Sequence, residues 1–382
     1  MTSAADTPAP RLSPLHDRHE AAGALFTDFA GWNMPVRYSS DLAEHHAVRT
    51  AAGLFDLSHM AEIRVSGPDA PAFLDYALAG MLSAVQLGQA KYSLLLNEAG
   101  GIIDDVVVYR LHDNDYLVVA NAGNRAAAVS ALQERAARFD AAVTDTSDDI
   151  ALVAVQGPAS RAVLEATPGL TGADLGDLRY YRSTTARFQG DPVLIARTGY
   201  TGEDGFELYI AADAAAGLWD SLLSAGQASG LVPAGLASRD TLRLEAGMPL
   251  YGHELSATTF PAQAGLGRVV NLAKPTDFVG RAASEEGPAA DAPVLVGLVA
   301  EGRRAGRAGY AVRDDAASTG GTAAEPVGVV TSGALSPTLG HPVMMAYVAP
   351  HRAAPGTRVA IDVRGTLIPA EVTRLPFYTR QK

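Results

Sequence analysis

The chain has no cysteine. Disulfides, thiolate metal sites and a cysteine nucleophile are therefore excluded, and the lack fits a cytoplasmic protein. Lysine occurs only at Lys91, Lys274 and Lys382, so nearly all positive charge is arginine. Positive charge is itself short: the formal net charge is −12. That balance argues against a nucleic-acid partner, and an anionic ligand would need a local arginine site. No apolar run approaches the length of a bilayer span, so no membrane partner is expected. The stretch "MTSAADTPAPRLSP" carries an acid and prolines but no apolar core. It reads as a short disordered lead and not as a signal peptide.

What is present is ordinary globular material, and 382 residues suffice for two or three domains. "AEIRVSGPDA", "PAFLDYALAG", "KYSLLLNEAGGIIDDVVVYRL" and "DYLVVANAGN" read as strand, helix and three further strands, with a helix over Arg125 to Arg138. A second α+β stretch starts near Ile150, with a helix around Trp219 to Ala225. Short strands with helices on one face predict antiparallel α+β units. "GRAASEEGPAADAP" reads as a linker. From Val294 onward short strands alternate with turns, which predicts an all-β closing domain, a barrel or a jelly roll.

Two aspartates stand side by side in "GGIIDDVVVY" among residues that belong in a buried strand. Period-two geometry puts Asp105, Val107 and Tyr109 on one face and Asp104, Val106 and Val108 on the other. The turn formers of "HDND" reverse the chain into "YLVVAN" and bring Asn121 back beside the pair. One register sets Asn121 opposite Asp105, and a one-residue slip sets it on the face of Asp104. Two readings stand. The acids are solvated at a sheet edge, or one carboxylate is kept in a cleft for electrostatic or acid–base work.

Other candidates have plain alternatives. "TGYTGEDGFE" is glycine-rich, but no Lys-Ser/Thr follows and its acids would repel phosphate. "EDG" reads as a tight hairpin turn, and Glu207 as an exposed strand residue. In "ASRDTLRLEAGMP", Ser238 could cap a helix that Gly247 and Pro249 end. Arg239 and Arg243 then share a face, either solvated or facing an acid such as Glu207. The lone His59 of "FDLSHM" reads as structural. No metal spacing and no nucleophile elbow is present. The residues alone give a soluble multi-domain α+β protein with a possible acidic cleft.

Nine stretches in order resemble the aminomethyltransferase family, the T-proteins of the glycine cleavage system. They are "FAGWNMPVRY", "AVRTAAGLFDLSHMAEIRVSGPDA", "LLLNEAGGIIDDVVVYR", "VVANAGN", "VQGP", "RTGYTGEDGFEL", "AGLASRDTLRLEAGMPLYGHEL", "VGVVTSGALSPTLG" and "PFY". The resemblance implies a three-domain ring of two α+β domains and a C-terminal β domain, with tetrahydrofolate in the central channel. On this reading the first domain is discontinuous, over 1–50 and 145–265. The second spans 51–144, and a linker with the β domain spans 266–382. The implied reaction moves a methylene group from the S-aminomethyl-dihydrolipoyl arm of a carrier, the H-protein, to tetrahydrofolate. Ammonia and 5,10-methylenetetrahydrofolate are released.

The family motif also assigns roles. It makes Asp105 the catalytic carboxylate facing folate, which selects the register with Asn121 on its face. Asp104 is then left to a structural pairing or to solvent. Met60, Tyr92, Val119, Asn121, Tyr180 and Tyr200 are implied to line the channel. Glu207 is implied to accept hydrogen bonds from the pterin amino edge, with Arg239 beside it and Arg380 reaching the glutamyl tail. Departures from the family pattern fall at Arg268, Gln263, Ala237 and Ser238. The alternatives are a freestanding folate-dependent demethylase and a folate-binding relative without transfer activity.

Overall fold

The computed structural model describes residues 9–314 and 326–380. The fold has three units, and the first two enclose the main cavity. The first is a seven-stranded sheet in the order Leu170–Thr171, Ser183–Phe188, Asp191–Ala196, Gly205–Ala211, Ile150–Gln156, Ala52–Asp56, Leu231–Pro233. The helices Ser160–Ala166 and Ala215–Gly226 cover one face. Strand alternation explains the division of side chains. Val153, Val155, Phe206 and Leu208 meet Leu218, Trp219 and Leu222 in the helix-side core. Leu152, Ala154 and Tyr209 point the other way.

The second unit is a five-stranded sheet in the order Ala90–Leu96, Ile102–His112, Asp115–Ala120, Ala61–Ser66, Ala142–Asp145. Its helices Ala70–Ala77 and Arg125–Ala136 pack on Ile63, Val65, Val106, Val108 and Val118. The opposite face carries Tyr109, Leu117 and Val119, which pack against Phe55, Leu57, Leu152 and Tyr209 of the first unit. The two sheets therefore meet face to face, and the cavity opens at this seam. The third unit is a closed six-stranded barrel from Val294–Ala300 to Thr366–Thr373, which decides for a barrel over a jelly roll.

Two connections tie the units together. Leu255, Ala264 and Phe278 pack on Ala79, Leu94, Leu96 and Ile102 of the second unit. After the barrel the chain returns to the first unit. Leu375 and Phe377 pack beside Leu244, Val343 and Met345. The Tyr378 backbone N–H donates to the Glu245 carbonyl at 2.8 Å, and its hydroxyl donates to Glu203 at 2.8 Å. The Arg49 guanidinium lies 4.1 Å from the Tyr378 ring centre.

Four expectations are corrected. Ala52–Asp56 lies beyond the boundary at residue 50, yet it pairs with Ile150–Gln156 and Leu231–Pro233, so it belongs to the first unit. The described part of the N-terminal lead is not disordered: Arg11–Leu12 pairs with Trp32–Asn33, and the Ser13 hydroxyl donates to Asp56. Residues 1–8 lie outside the described residues. Ser238 does not cap its helix. Leu236–Glu245 starts after Gly235, and the Ser238 hydroxyl donates back to the Gly235 carbonyl at 2.9 Å. The "EDG" turn is the end of a longer connection between Asp191–Ala196 and Gly205–Ala211. That connection wraps around Gln156: a Cβ at Gly199 would sit 2.0 Å from the Gln156 side chain, and one at Gly205 2.4 Å from it. Glycine is needed at both positions for this close approach. Among the described residues no helix is long and apolar enough to cross a membrane.

Candidate functional site

The Ile102–His112 and Asp115–Ala120 strands turn at Asp113–Asn114 and pair with Val107 opposite Val119. In that register Asn121, one residue past the strand, lies level with Asp105. Asp105, Val107 and Tyr109 line the cavity. Asp104 is fully buried beside the helix-side core and has no solvent contact.

Asn121 binds both acids. Its Nδ2 donates to Asp104 Oδ1 and Asp105 Oδ1, each at 2.8 Å, and its backbone N–H donates to Asp104 Oδ2 at 2.9 Å. Asn124 Nδ2 adds a third nitrogen donor to Asp104 at 2.7 Å. Burial and the charge of Asp105 push the Asp104 carboxyl up to about 7 against the pull of these donors. Asp105 accepts from the Tyr92 hydroxyl at 3.0 Å, and burial raises its carboxyl above the usual range despite that bond. A half-buried carboxyl held on the cavity wall by neutral donors is suited to meet positive charge that develops beside it.

The cavity has a volume of about 640 Å³. Its wall includes Met60, Tyr92, Asp105, Val119, Asn121, Tyr180, Tyr200, Glu207 and Arg239, drawn from both sheets, the loops between their strands and the Leu236–Glu245 helix. Glu207 is not an exposed strand residue. Its Oε2 accepts from the Thr198 hydroxyl at 2.5 Å and the Tyr109 hydroxyl at 3.3 Å. The Arg239 guanidinium lies 5.0 Å from the Tyr200 ring centre, and its Nη1 is buried without a hydrogen-bond partner. Burial pulls its pKa down, and the charge of Glu207 opposes that. Arg243 also borders the cavity, but it is almost fully buried and spends its guanidinium on Glu254 at 3.0 Å and Ser332 at 2.8 Å. The two arginines therefore do different work. Tyr180 stands at the mouth with about half its surface exposed.

Arg380 is placed differently from the rest. It is not on the cavity wall but 3.5 Å from Asp204, whose oxygens Arg197 already holds at 2.8 and 2.7 Å. Among the cavity residues not foreseen as site residues, three bear directly on its chemistry. His59 lies buried in the wall, edge-on to Phe29 at 5.3 Å, with Nδ1 unpartnered. Burial brings its pKa down to about 4, so the ring is neutral near pH 7. Tyr109 shares the face of Asp105, and that period-two signal was available. Thr198 carried no signal, because its role depends on Glu207 reaching it across the Gln156 loop.

Known proteins match this chain over nearly its whole length. The family described as "GCVT N-terminal domain" matches residues 15–274, and "Glycine cleavage T-protein C-terminal barrel domain" matches residues 294–379. The aminomethyltransferase of Cutibacterium acnes is 59% identical over 375 residues, covering 97% of this chain and 99% of that one. The aminomethyltransferase of Streptomyces coelicolor is 56% identical over 377 residues, covering 97% and 98%. The crystal structure of the glycine cleavage system aminomethyltransferase T from Bartonella henselae superposes with a TM-score of 0.87 at 38% identity, over 96% of this chain and 98% of that one. With both domains matched and such relatives spanning almost its whole length, the chain belongs to the glycine cleavage T-protein family of aminomethyltransferases.

Proposed function

We propose that the central cavity binds tetrahydrofolate and that Asp105 serves the transfer of a methylene group to it from the aminomethylated lipoyl arm of the H-protein. The observation that carries this reading is the placement of Glu207 and Arg239 on one cavity wall, close enough for the charge of one to act on the other but not bonded to each other. One carboxylate oxygen is left to accept, and one buried guanidinium N–H has no acceptor. A pterin edge offers an amino donor beside a carbonyl acceptor, which complements both. Leaving either group unpaired in a buried site costs roughly 1–3 kcal/mol, more where a charge is involved. Tyr92, Tyr180 and Tyr200 supply flat faces for the rings.

Asp105 then lies where the attacking folate nitrogen gains positive charge. Tyr92 and Asn121 fix its orientation. A fixed carboxylate stabilises that charge without reorganising. Asp104 holds Asn121, and through it the Asp105 carboxylate. Arg380 lies near Tyr180 at the mouth, where a flexible cation can meet the glutamyl carboxylates.

The test is direct. The protein is incubated with aminomethylated H-protein and tetrahydrofolate, and ammonia and methylenetetrahydrofolate are followed. Folate-dependent release of ammonia is expected. Release without folate, or none, would sink the reading. Turnover only with a small methylated amine in place of the carrier would favour the demethylase alternative.

A further inference from the structure

Behind Glu207 stands a set of hydroxyl groups that the transfer chemistry does not use. Tyr109 is fully buried and Thr198 nearly so. Both reach the same oxygen of Glu207, Oε2, and they contact each other at 3.0 Å. Tyr209 donates to the Tyr109 hydroxyl at 3.2 Å from the far side. Thr198 is itself fixed, since Gln156 Nε2 donates to its carbonyl at 3.1 Å. Gln156 Oε1 in turn accepts from the Thr201 hydroxyl at 3.0 Å.

A glutamate side chain rotates about its last bond in a broad, shallow well. Two donors on one oxygen remove that freedom. Among the described residues no protein donor reaches Oε1. The carboxylate is thus presented to the cavity in one orientation, with one oxygen used up and one open.

We propose that Thr198 and Tyr109 are positioning residues that lock this orientation, and that the lock makes the cavity selective for a ligand edge bearing an amino donor. The inference rests on the reading of the cavity as a folate site. A ligand lacking the amino donor would cover Oε1 and displace its water without pairing it, and a rigid carboxylate cannot turn to find another partner. A site built to hydrogen-bond a group rejects the analogue without it, because its own polar atoms go unpaired.

The test compares tetrahydrofolate with its 2-desamino analogue, by calorimetric Kd, on the wild type and the variants Thr198→Val, Thr198→Ser, Tyr109→Phe and Glu207→Ala. For Thr198→Val, the preference for the amino-bearing ligand should fall about tenfold. Its KM for tetrahydrofolate should rise by a similar factor, with kcat at saturating folate within about twofold. Thr198→Ser should restore both values. Tyr109→Phe should lose about threefold, since its bond is longer, and it carries the same comparison if Thr198→Val does not fold.

Equal weakening of both ligands by Thr198→Val, or an unchanged preference, would overturn the inference. Glu207→Ala separates the two levels. If it leaves tetrahydrofolate binding intact, the folate reading of this wall fails. If it weakens binding while Thr198→Val and Tyr109→Phe keep the preference, only the positioning inference fails.

Discussion

Glu245 is the acid on which the helix carrying Arg239 meets the barrel, and its replacement by glutamine has a calculable effect. Oε1 accepts from the Ser336 hydroxyl at 2.5 Å and the Thr338 backbone N–H at 3.0 Å. Oε2 accepts from Arg49 Nη2 at 2.7 Å and the Thr338 hydroxyl at 2.7 Å, with His45 Nε2 at 3.2 Å. Burial alone would push this carboxyl up. The bonds from His45, Ser336 and Arg49 outweigh it and hold the group at about 2, against an ordinary 4.5. A depressed carboxyl stabilises the fold above its unfolded pKa and loses that contribution as pH falls through its folded pKa.

At 1.36 kcal/mol per unit the contribution is about 3 kcal/mol at pH 7, about 2 at pH 3.5 and under about 1 at pH 2.5. Glutamine would also set an amide nitrogen against donors on whichever side it faced. Glu245→Gln should therefore lower stability by about 3 kcal/mol at pH 7. For a unit of about 150–250 residues this is roughly 6–12 °C in the melting temperature. Calorimetry of both proteins from pH 7 to pH 2.5 should show the gap closing as the medium becomes acid. A gap constant across that range, or none at pH 7, would refute the reasoning.

Asp105→Asn should fold normally, because the Tyr92 hydroxyl can turn to accept from the new amide nitrogen while Asn121 keeps its bond. Its turnover should fall roughly 10²–10³-fold with tetrahydrofolate affinity largely kept, as steady-state and binding measurements would show. His59 is neutral when folded, with a pKa brought down to about 4. The wild type should therefore lose up to about 3 kcal/mol as pH falls from 6.5 to 4, and His59→Leu should lack that slope in denaturant titrations. Lys274 is buried and its ammonium donates to the carbonyls of Asp75, Leu78 and Gly80 at 2.6, 2.6 and 3.0 Å. Lys274→Met leaves all three without this donor, and melting should show a loss on the order of 3 kcal/mol.

Local signals carried far in this chain. The strand over Ile102–His112 was legible from alternation, and the turn from "HDND". Alternation also separated Asp104 from Asp105, while their register needed the family motif. Interactions between distant segments were not legible. Glu207 looked like a solvated strand residue because Tyr109, which bonds it, sits on another sheet. Gly199 and Gly205 looked like turn punctuation because their reason is the Gln156 side chain. Ala52–Asp56 fell on the wrong side of a boundary because its partner strands come about a hundred residues or more later. Ser238 matched a capping residue type, yet the helix starts earlier because Glu44 already accepts from the Gly235 N–H.

The return of the chain after the barrel bears on the order in which the protein is made. Tyr378 bonds Glu203 and stacks on Arg49, and Arg49 donates to the Thr201 carbonyl at 2.7 Å beside Tyr200. The loop that shapes one wall of the cavity is thus braced by a residue synthesised after both α+β sheets and the barrel. During translation both α+β sheets can leave the ribosome and pack while that brace is missing. The cavity takes its final form only when synthesis passes Tyr378, so a nascent chain paused within the barrel would hold a looser site than the finished protein.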